Sequence, residues 1–367
     1  MTATRKPSGT RSTNKKSATS NARIDPPKNA PTVEERIALG KSARTETPRE
    51  ALAELRLPPD RPDTVGILIK QGEPRLQEFL PIRYGRMQVS PFAHFRGAAA
   101  IMATDLKNSA RSGFEVHLCG DAHLSNFGFF ASPERALVFD VNDFAETLPG
   151  PWEFDLKRLA TSFVIAARHA GHREIEARNA ARTAVASYQA EMARLSTLPE
   201  LSIRYSRVDE ADLMRWAAKQ GEETEKRLRS GAKAAKSRTS QQAASKLTTI
   251  VNGQPRFVES PTLFRMDEET AEIAHQGFLQ FRDAMSDDRR WLFNRYTYID
   301  VARKVVGVGS VGTRDFVVLL RGRDETDHLV LQIKQAEPSV IELAGGKTAY
   351  PNQGQRVVNG QRLIQSS

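Results

Sequence analysis

The sequence is poor in cysteine and in long apolar runs. Its 367 residues include one cysteine, Cys119, which excludes an intramolecular disulfide and a cluster of thiolate metal ligands. No segment approaches the roughly 18 consecutive apolar residues of a membrane-spanning helix, and the N-terminus lacks the apolar stretch of a secretory signal peptide. We therefore expect a cytoplasmic protein with no membrane partner, in which Cys119 is a small buried strand residue.

Acidic residues are scarce in the N-terminal segment. Residues 1–31 carry seven cations and one anion, a net of +6, whereas the whole chain has a formal net charge of +10. Because this segment is rich in Ser, Thr, Asn and Pro, we predict a disordered basic tail over residues 1–45. Such a tail can contact nucleic acid non-specifically. We expect no specific nucleic-acid partner, because most of the excess charge lies in this tail.

The rest of the chain has an ordinary globular composition, with 39% hydrophobic and 27% charged residues overall. Apolar residues spaced at i, i+3 and i+4 from Leu156 onward predict a helix, and further helices are predicted at about 173–195 and 353–365. Alternation of apolar and polar residues, or short apolar runs between turns, predicts strands. The predicted strands are 114–119, 126–131, 136–141, 304–306, 316–320 and 329–333.

The first group of candidate functional residues follows the strand at 114–119. Asp121 stands in a loop five residues before Asn126, and Asp140 stands near the end of the following hairpin. Phosphoryl transfer needs a group that orients the acceptor hydroxyl, together with carboxylate or amide oxygens that hold Mg²⁺. Asp121, Asn126 and Asp140 would supply these groups. Alternatively, the Asp residues cap turns, and His123 locks the loop by a hydrogen bond instead of acting in catalysis.

The second group is a glycine-rich run near the end of the chain. Gly307, Gly309 and Gly312 form a G-x-G-x-x-G pattern, but a dinucleotide-binding fingerprint must open a helix, and here a strand follows. A glycine loop between two strands lets backbone amides approach the phosphates of ATP. Lys334 ends the third strand, where a lysine that contacts the α- and β-phosphates would lie.

The first group resembles the catalytic loop of the protein-kinase-like superfamily, particularly its aminoglycoside and choline kinase branch. The resemblance implies that Asp121 is the catalytic Asp, with His123 beside it as the second candidate catalytic residue, and that Asn126 is a Mg²⁺ ligand. It also implies that Asp140 is the metal-binding Asp of a DFG-like motif, with Asp143 as a second ligand or its replacement. Asp140 is preferred to Asp143 as the metal-binding residue because its distance from Asp121 and its strand-end position suit that role better.

The resemblance predicts an α+β, protein-kinase-like bilobal fold that is circularly permuted, because the catalytic loop precedes the glycine loop. It implies ATP and Mg²⁺ as cofactors and a hydroxyl-bearing acceptor as substrate. A nucleotide-binding pseudoenzyme and a polyanion-binding protein, acting through the tail and the basic stretch 226–246, stay open as alternatives. After the tail, the predicted divisions are lead-in helices with the catalytic-loop core at 46–170, a helical region or insertion at 171–300, and an incomplete β-lobe at 301–367.

Residues 46–367 as a whole resemble the bacterial DUF2252 family, which is grouped with kinase-like folds and implies no particular substrate. The residues that carry the resemblance are 83–87 (RYGRM), 90–92 (SPF), 95–97 (FRG), 120–128, 142–144 (NDF), 151–153 (PWE) and 304–314. Three arginines in these motifs, Arg83, Arg86 and Arg96, face phosphates or pair with nearby carboxylates; the sequence leaves both alternatives open.

The chain departs from this family pattern in three ways. Ala145 stands where members tend to carry Asp, which would weaken a metal site there. The predicted helix at 353–365 contains no acid to pair with Lys334, for which Glu337 or Glu342 is a candidate substitute. The family continues beyond the equivalent of Ser367, so we expect a truncated β-lobe with open strand edges and reduced stability or activity.

Overall fold

The computed structural model describes residues 31–305 and 307–365, and most of the predicted tail lies outside them. Residues 33–45 of the predicted tail lie in a helix, α1, which spans Val33–Glu46. This helix forms because Thr32 and Glu35 make a reciprocal capping box at its start: the Thr32 side chain accepts from the Glu35 N–H, and the Glu35 carboxylate accepts from the Thr32 N–H.

Groups of helices and groups of strands follow one another along the described chain, and the mixed α+β class is confirmed. The helices after α1 are α2 (Arg49–Leu52), α3 (Thr64–Gly72), α4 (Leu80–Gln88), α5 (Pro91–Gly97), α6 (Ala99–Leu106), α7 (Glu153–His169), α8 (Glu174–Leu195), α9 (Glu200–Arg204), α10 (Glu210–Gln220), α11 (Glu222–Lys236), α12 (Ser240–Leu247), α13 (Glu268–Asp283), α14 (Asp287–Phe293) and α15 (Gln353–Ile364). The strands are β1 (Glu115–Leu118), β2 (Phe127–Ala131), β3 (Leu137–Val141), β4 (Leu148–Pro151), β5 (Val208–Asp209), β6 (Thr248–Val251), β7 (Gln254–Phe257), β8 (Leu263–Phe264), β9 (Thr297–Lys304), β10 (Phe316–Arg321) and β11 (His328–Ile333). Short 3-10 helices span Gln77–Phe79, Leu124–Asn126 and Val340–Ala344.

The predicted strands and helices of both motif regions are confirmed, with one correction. The strand predicted at 304–306 is β9, which begins seven residues earlier and ends at Lys304. Its early part was missed because Tyr298, Asp300 and Arg303 interrupt a simple apolar alternation. No helix in residues 31–305 and 307–365 is both long enough and apolar enough to span a membrane.

The glycine-rich run lies in a four-stranded antiparallel sheet with the order β11-β10-β9-β8. Strand β10 is one of its two internal strands, and successive side chains of a strand point to opposite faces. Val317 and Leu319 pack with the cluster around Phe257, whereas Val318 and Leu320 pack with the cluster around Phe278. Both faces of the sheet are therefore covered, which explains why β10 is a continuous apolar run.

The catalytic-loop half is organised by the short antiparallel pair β1–β4, in which Leu118 lies opposite Leu148. Both leucines are fully buried against α6, Phe154 and the 3-10 helix Val340–Ala344. That 3-10 helix follows β11 in the chain, so the same apolar cluster joins the catalytic-loop half to the end of the glycine-loop half. Cys119, directly after β1, is buried as predicted.

A buried arginine makes a second connection between the two halves. Arg356 of α15 has no exposed surface. Its guanidinium donates hydrogen bonds to the carbonyl oxygens of Thr147 (2.5 Å), Ala145 (2.9 Å) and Glu337 (2.8 Å). The first two carbonyls belong to the segment between β3 and β4, and the third follows β11. Arg356 thus fixes the separation of these two segments.

Replacing Arg356 by Met should therefore destabilise the fold by about 3 kcal/mol, because three buried carbonyls lose their donors. The matched control is Arg362→Met, on the same helix but at an exposed position, which should change stability by no more than about 0.5 kcal/mol. Denaturant unfolding of both variants measures the difference. Equal losses in the two variants would contradict the role given to Arg356.

Candidate functional site

The backbone of the loop that follows β1 is hydrogen-bonded to a carboxylate. Asp155, in the first turn of α7, accepts hydrogen bonds from the backbone N–H groups of Cys119 (2.8 Å) and Gly120 (3.0 Å). Burial raises the pKa of Asp155 to about 6. Gly120 has a φ of 84°, and a Cβ atom there would lie 2.1 Å from the carbonyl oxygen of Glu146. Only glycine fits where this loop turns against the opposite segment.

Asp121 projects from this loop into a partly buried environment. Its Oδ1 accepts from Nε of Arg158, and its Oδ2 lies 3.8 Å from Nε2 of His123. Asn126 donates from Nδ2 to the backbone carbonyl of Asp121 at 2.6 Å. The structure therefore brings these predicted residues together and gives the Asp121 carboxylate a fixed orientation.

His123 is buried and stabilises the loop. Its Nδ1 accepts a hydrogen bond from the backbone N–H of Ser125 at 3.1 Å. Burial lowers the pKa of His123, which favours the neutral imidazole that this bond requires. These contacts match the loop-locking alternative for His123, and the nearby Asp121 carboxylate is its one acidic neighbour in the described ion pairs.

The two candidate metal-binding aspartates occupy different environments. Asp140 lies within β3 opposite Gly128, and its Oδ1 accepts from the backbone N–H of Val141 at 2.7 Å. Burial raises its pKa. Asp143 lies beyond the strand end, and its Oδ2 is 3.9 Å from Nζ of Lys334. Asp143, ranked second from the sequence, is thus the carboxylate that contacts the predicted phosphate-binding lysine.

The glycine run connects β9 and β10, as predicted. Residues that precede the catalytic loop donate hydrogen bonds to its carbonyl oxygens. Arg86 donates to the carbonyl of Gly307 at 2.8 Å. Arg75 donates to the carbonyls of Gly309 (2.7 Å) and Val311 (2.8 Å). The backbone N–H of Leu76 donates to the carbonyl of Gly312 at 2.8 Å. The carbonyl oxygens of Gly307, Gly309, Val311 and Gly312 are therefore held by residues that precede the catalytic loop.

Lys334 directly follows β11, and its side chain is about half exposed. Its ion pair with Asp143 joins the two predicted groups of functional residues, one from each half of the chain. Glu337, a candidate substitute for the absent helix acid, instead pairs with Arg75 at 3.2 Å. The partner of Lys334 is therefore supplied by the catalytic-loop half.

Two further acids close to this ion pair were missed by sequence reasoning. Asp315 is 1% exposed at the base of the hairpin, and its Oδ1 accepts from the backbone N–H of Gln335 at 3.2 Å. Burial raises its pKa. Glu146 accepts at Oε2 from the backbone N–H of Val340 at 2.7 Å. Asp315 follows Gly312 by three residues, and Glu146 follows Asp143 by three residues. An isolated acid at such a spacing does not match a recognisable sequence motif.

The residues present suit a Mg²⁺ ion that is shared with a phosphate ligand. No group of three or more His, Cys, Asp or Glu side chains in the described part of the chain is close enough to hold a metal alone. Protein-bound Mg²⁺ commonly takes one or two carboxylates and completes its shell with phosphate oxygens and water. Asp143, beside the predicted phosphate-binding lysine, could supply one such carboxylate.

Comparison with known proteins defines the family. The family model described as "Uncharacterized protein conserved in bacteria (DUF2252)" matches residues 75–367. The chain belongs to this family. The match includes the catalytic loop, the glycine hairpin and Lys334, so all of the DUF2252 motifs described above lie inside it. No curated protein and no solved structure matches the chain.

The DUF2252 site should also give the fold a specific pH dependence through Glu146. Burial, reinforced by the charges of Asp121 and Asp143, raises the pKa of Glu146 from 4.5 to about 7. The folded chain thus keeps this proton to a higher pH than the unfolded chain. Its contribution to the free energy of unfolding falls as the pH rises from about 4.5 to about 7.

Replacing Glu146 by Gln removes this titration and keeps an oxygen for the Val340 N–H. The unfolding free energy of Glu146→Gln minus that of the wild type should therefore increase over the same pH interval. Denaturant unfolding at several pH values measures it, with the exposed Glu50→Gln as the control for removing an acid as such. A difference that falls as the pH rises would contradict the prediction.

Proposed function

We propose that this chain is an ATP- and Mg²⁺-dependent phosphotransferase with a circularly permuted, protein-kinase-like bilobal fold. The observation that carries the proposal is the 3.9 Å contact between Nζ of Lys334 and Oδ2 of Asp143. It joins the lysine that follows β11 to the segment between β3 and β4, which lies far away in the sequence. A nucleotide site needs both parts in one place, and their order along the chain is immaterial to it.

Each part has a role in the proposal. The amides of the hairpin at Gly307–Gly312 approach the phosphates, and Lys334 contacts the α- and β-phosphates. Asp143 takes the role of the metal-binding Asp in place of Asp140, because it is the residue beside the lysine. Asn126 supplies a second oxygen to Mg²⁺, which would neutralise the charge between the β- and γ-phosphates.

Asp121 would orient the hydroxyl of the acceptor. Arg158 occupies Oδ1, whereas Oδ2 lies 3.8 Å from His123, beyond hydrogen-bonding distance, and so retains a lone pair for a hydroxyl. Transfer of a phosphoryl group passes through a loose transition state, which needs a well-placed acceptor for the proton more than a strong base. A carboxylate fixed by a buried arginine meets this need.

A nucleotide-binding pseudoenzyme is the second candidate. Two observations favour it: the Asp121 carboxylate is already paired with a buried cation, and α15 contains no acid that could pair with Lys334. The polyanion-binding alternative is less well supported within the basic stretch 226–246. There Arg227 and Arg229 each pair with a glutamate one helical turn earlier, so part of the cationic charge is already compensated.

Binding and turnover of ATP test the proposal in two steps. Mg²⁺ with ATP or ADP should raise the melting temperature of the wild type, and Lys334→Ala should remove most of that increase. The matched control is Lys347→Ala, at an exposed position in the same part of the chain. If neither nucleotide shifts the wild-type melting temperature, the proposal is wrong.

Asp121→Asn should separate enzyme from pseudoenzyme. We expect it to keep the ATP-induced thermal shift and to lower ATP turnover by at least about a hundredfold, because the amide cannot accept the acceptor's proton. Turnover is measured as release of ADP. A wild type that binds ATP and turns none over, with a broad set of hydroxyl-bearing acceptors, would favour the pseudoenzyme.

A further inference from the structure

Three arginines of the family motifs lack carboxylate partners. Arg83 is fully buried, donates to the Gln71 side chain and the Gly97 carbonyl, and has two nitrogens without hydrogen-bond partners. Arg86 donates to the hairpin carbonyl described above. Arg96 has a buried Nε without a partner, and it forms no ion pair with any described residue. The alternative that these arginines pair with nearby carboxylates is therefore not realised in the described part of the chain.

Arg96 lies beside the catalytic loop. Its neighbour Phe95 is tied to that loop by Arg158, whose Nη2 donates to the Phe95 carbonyl at 2.8 Å and whose guanidinium lies 4.2 Å from the Phe95 ring centroid. The same guanidinium holds Asp121. The charge of Arg96 is close enough to His123 to help lower the pKa of that imidazole.

Arg96 also lies beside the glycine hairpin. A Cβ atom built on Gly309 would be 3.9 Å from the carbonyl oxygen of Arg96. The middle glycine of the run therefore passes directly over the end of α5. The hairpin meets α5 on one side, and Arg158 joins α5 to Asp121 on the other. Arg96 is thus an unpaired cation at the junction of the two parts of the proposed nucleotide site.

We infer that Arg96 binds the terminal phosphate of ATP, the group that is transferred. The inference rests on the proposed function. An arginine fits this task because its planar guanidinium donates two parallel hydrogen bonds to phosphate oxygens. Lys334 contacts the α- and β-phosphates, which stay in ADP, whereas Arg96 contacts the γ-phosphate.

In the transfer step, the acceptor oxygen forms a bond to the γ-phosphorus as the bond from that phosphorus to the β,γ-bridging oxygen breaks. ADP leaves with the electron pair of the broken bond, and the acceptor's proton passes to Asp121. In the transition state, negative charge is spread over the three equatorial oxygens of the transferred group, and a cation in contact with them lowers the barrier. Arg96 would make that contact.

The test compares the affinities for Mg²⁺·ATP and Mg²⁺·ADP by calorimetry in the full chain. Arg96→Gln should weaken ATP binding by about tenfold or more and leave ADP binding within about twofold, because only ATP carries the terminal phosphate. ATP turnover should fall by about a thousandfold. Arg182→Gln, at an exposed position on α8, is the control for loss of one positive charge.

A purely structural role for Arg96 would not change the ratio of the ATP and ADP affinities. An unchanged ratio in Arg96→Gln, with both affinities lost in Lys334→Ala, would overturn the inference and leave the proposed function standing. A wild type that binds neither nucleotide would overturn both. If Arg96→Gln does not fold, Arg96→Lys replaces it: the charge stays but the paired donors are lost, so the ATP-to-ADP affinity ratio should still fall, and an unchanged ratio overturns the inference.

Discussion

The geometry of the candidate site depends on a buried guanidinium. Arg356 donates to carbonyls on both sides of Glu146 and to the carbonyl of Glu337, three residues after Lys334. The contact between Lys334 and Asp143 cannot itself hold the halves together. Both side chains are close to half exposed, and such ion pairs contribute about 0–1 kcal/mol. The ion pair is a consequence of the packing around Arg356 and not its cause.

Residues that precede the catalytic loop also bring the two motif regions together. Arg75 and Arg86 donate to carbonyls of the glycine hairpin, and Arg158 of α7 joins the carbonyl of Phe95 to the carboxylate of Asp121. They therefore act as a common support for two segments that come from opposite ends of the described chain.

The sequence predicted the local features well. The strands around Asp121, the α7 helix and the hairpin that carries the glycines follow from periodicity and turn residues, which are local properties. The contact of Asp143 with Lys334 could not be predicted in this way, because the lysine comes from the other half of the chain. Sequence spacing favoured Asp140, whereas tertiary packing placed Lys334 beside Asp143.

Long-range contacts also explain the other differences. Nothing local marks Arg356 as the residue that joins two segments, and the contact of Glu337 with Arg75 spans most of the described chain. The first helix was missed because its composition is polar, although Thr32 and Glu35 form a capping box at its start. The kinase-like architecture itself remains a proposal, drawn from the motifs and from the contact that unites them.

The most direct test of one shared nucleotide site is a crystal structure of the full chain with Mg²⁺ and a non-hydrolysable ATP analogue. The account predicts triphosphate density between the glycine hairpin and the catalytic loop, with a phosphate oxygen in contact with Lys334 and Mg²⁺ bound by Asp143. Nucleotide bound elsewhere on the protein, with the Lys334–Asp143 contact intact, would contradict it.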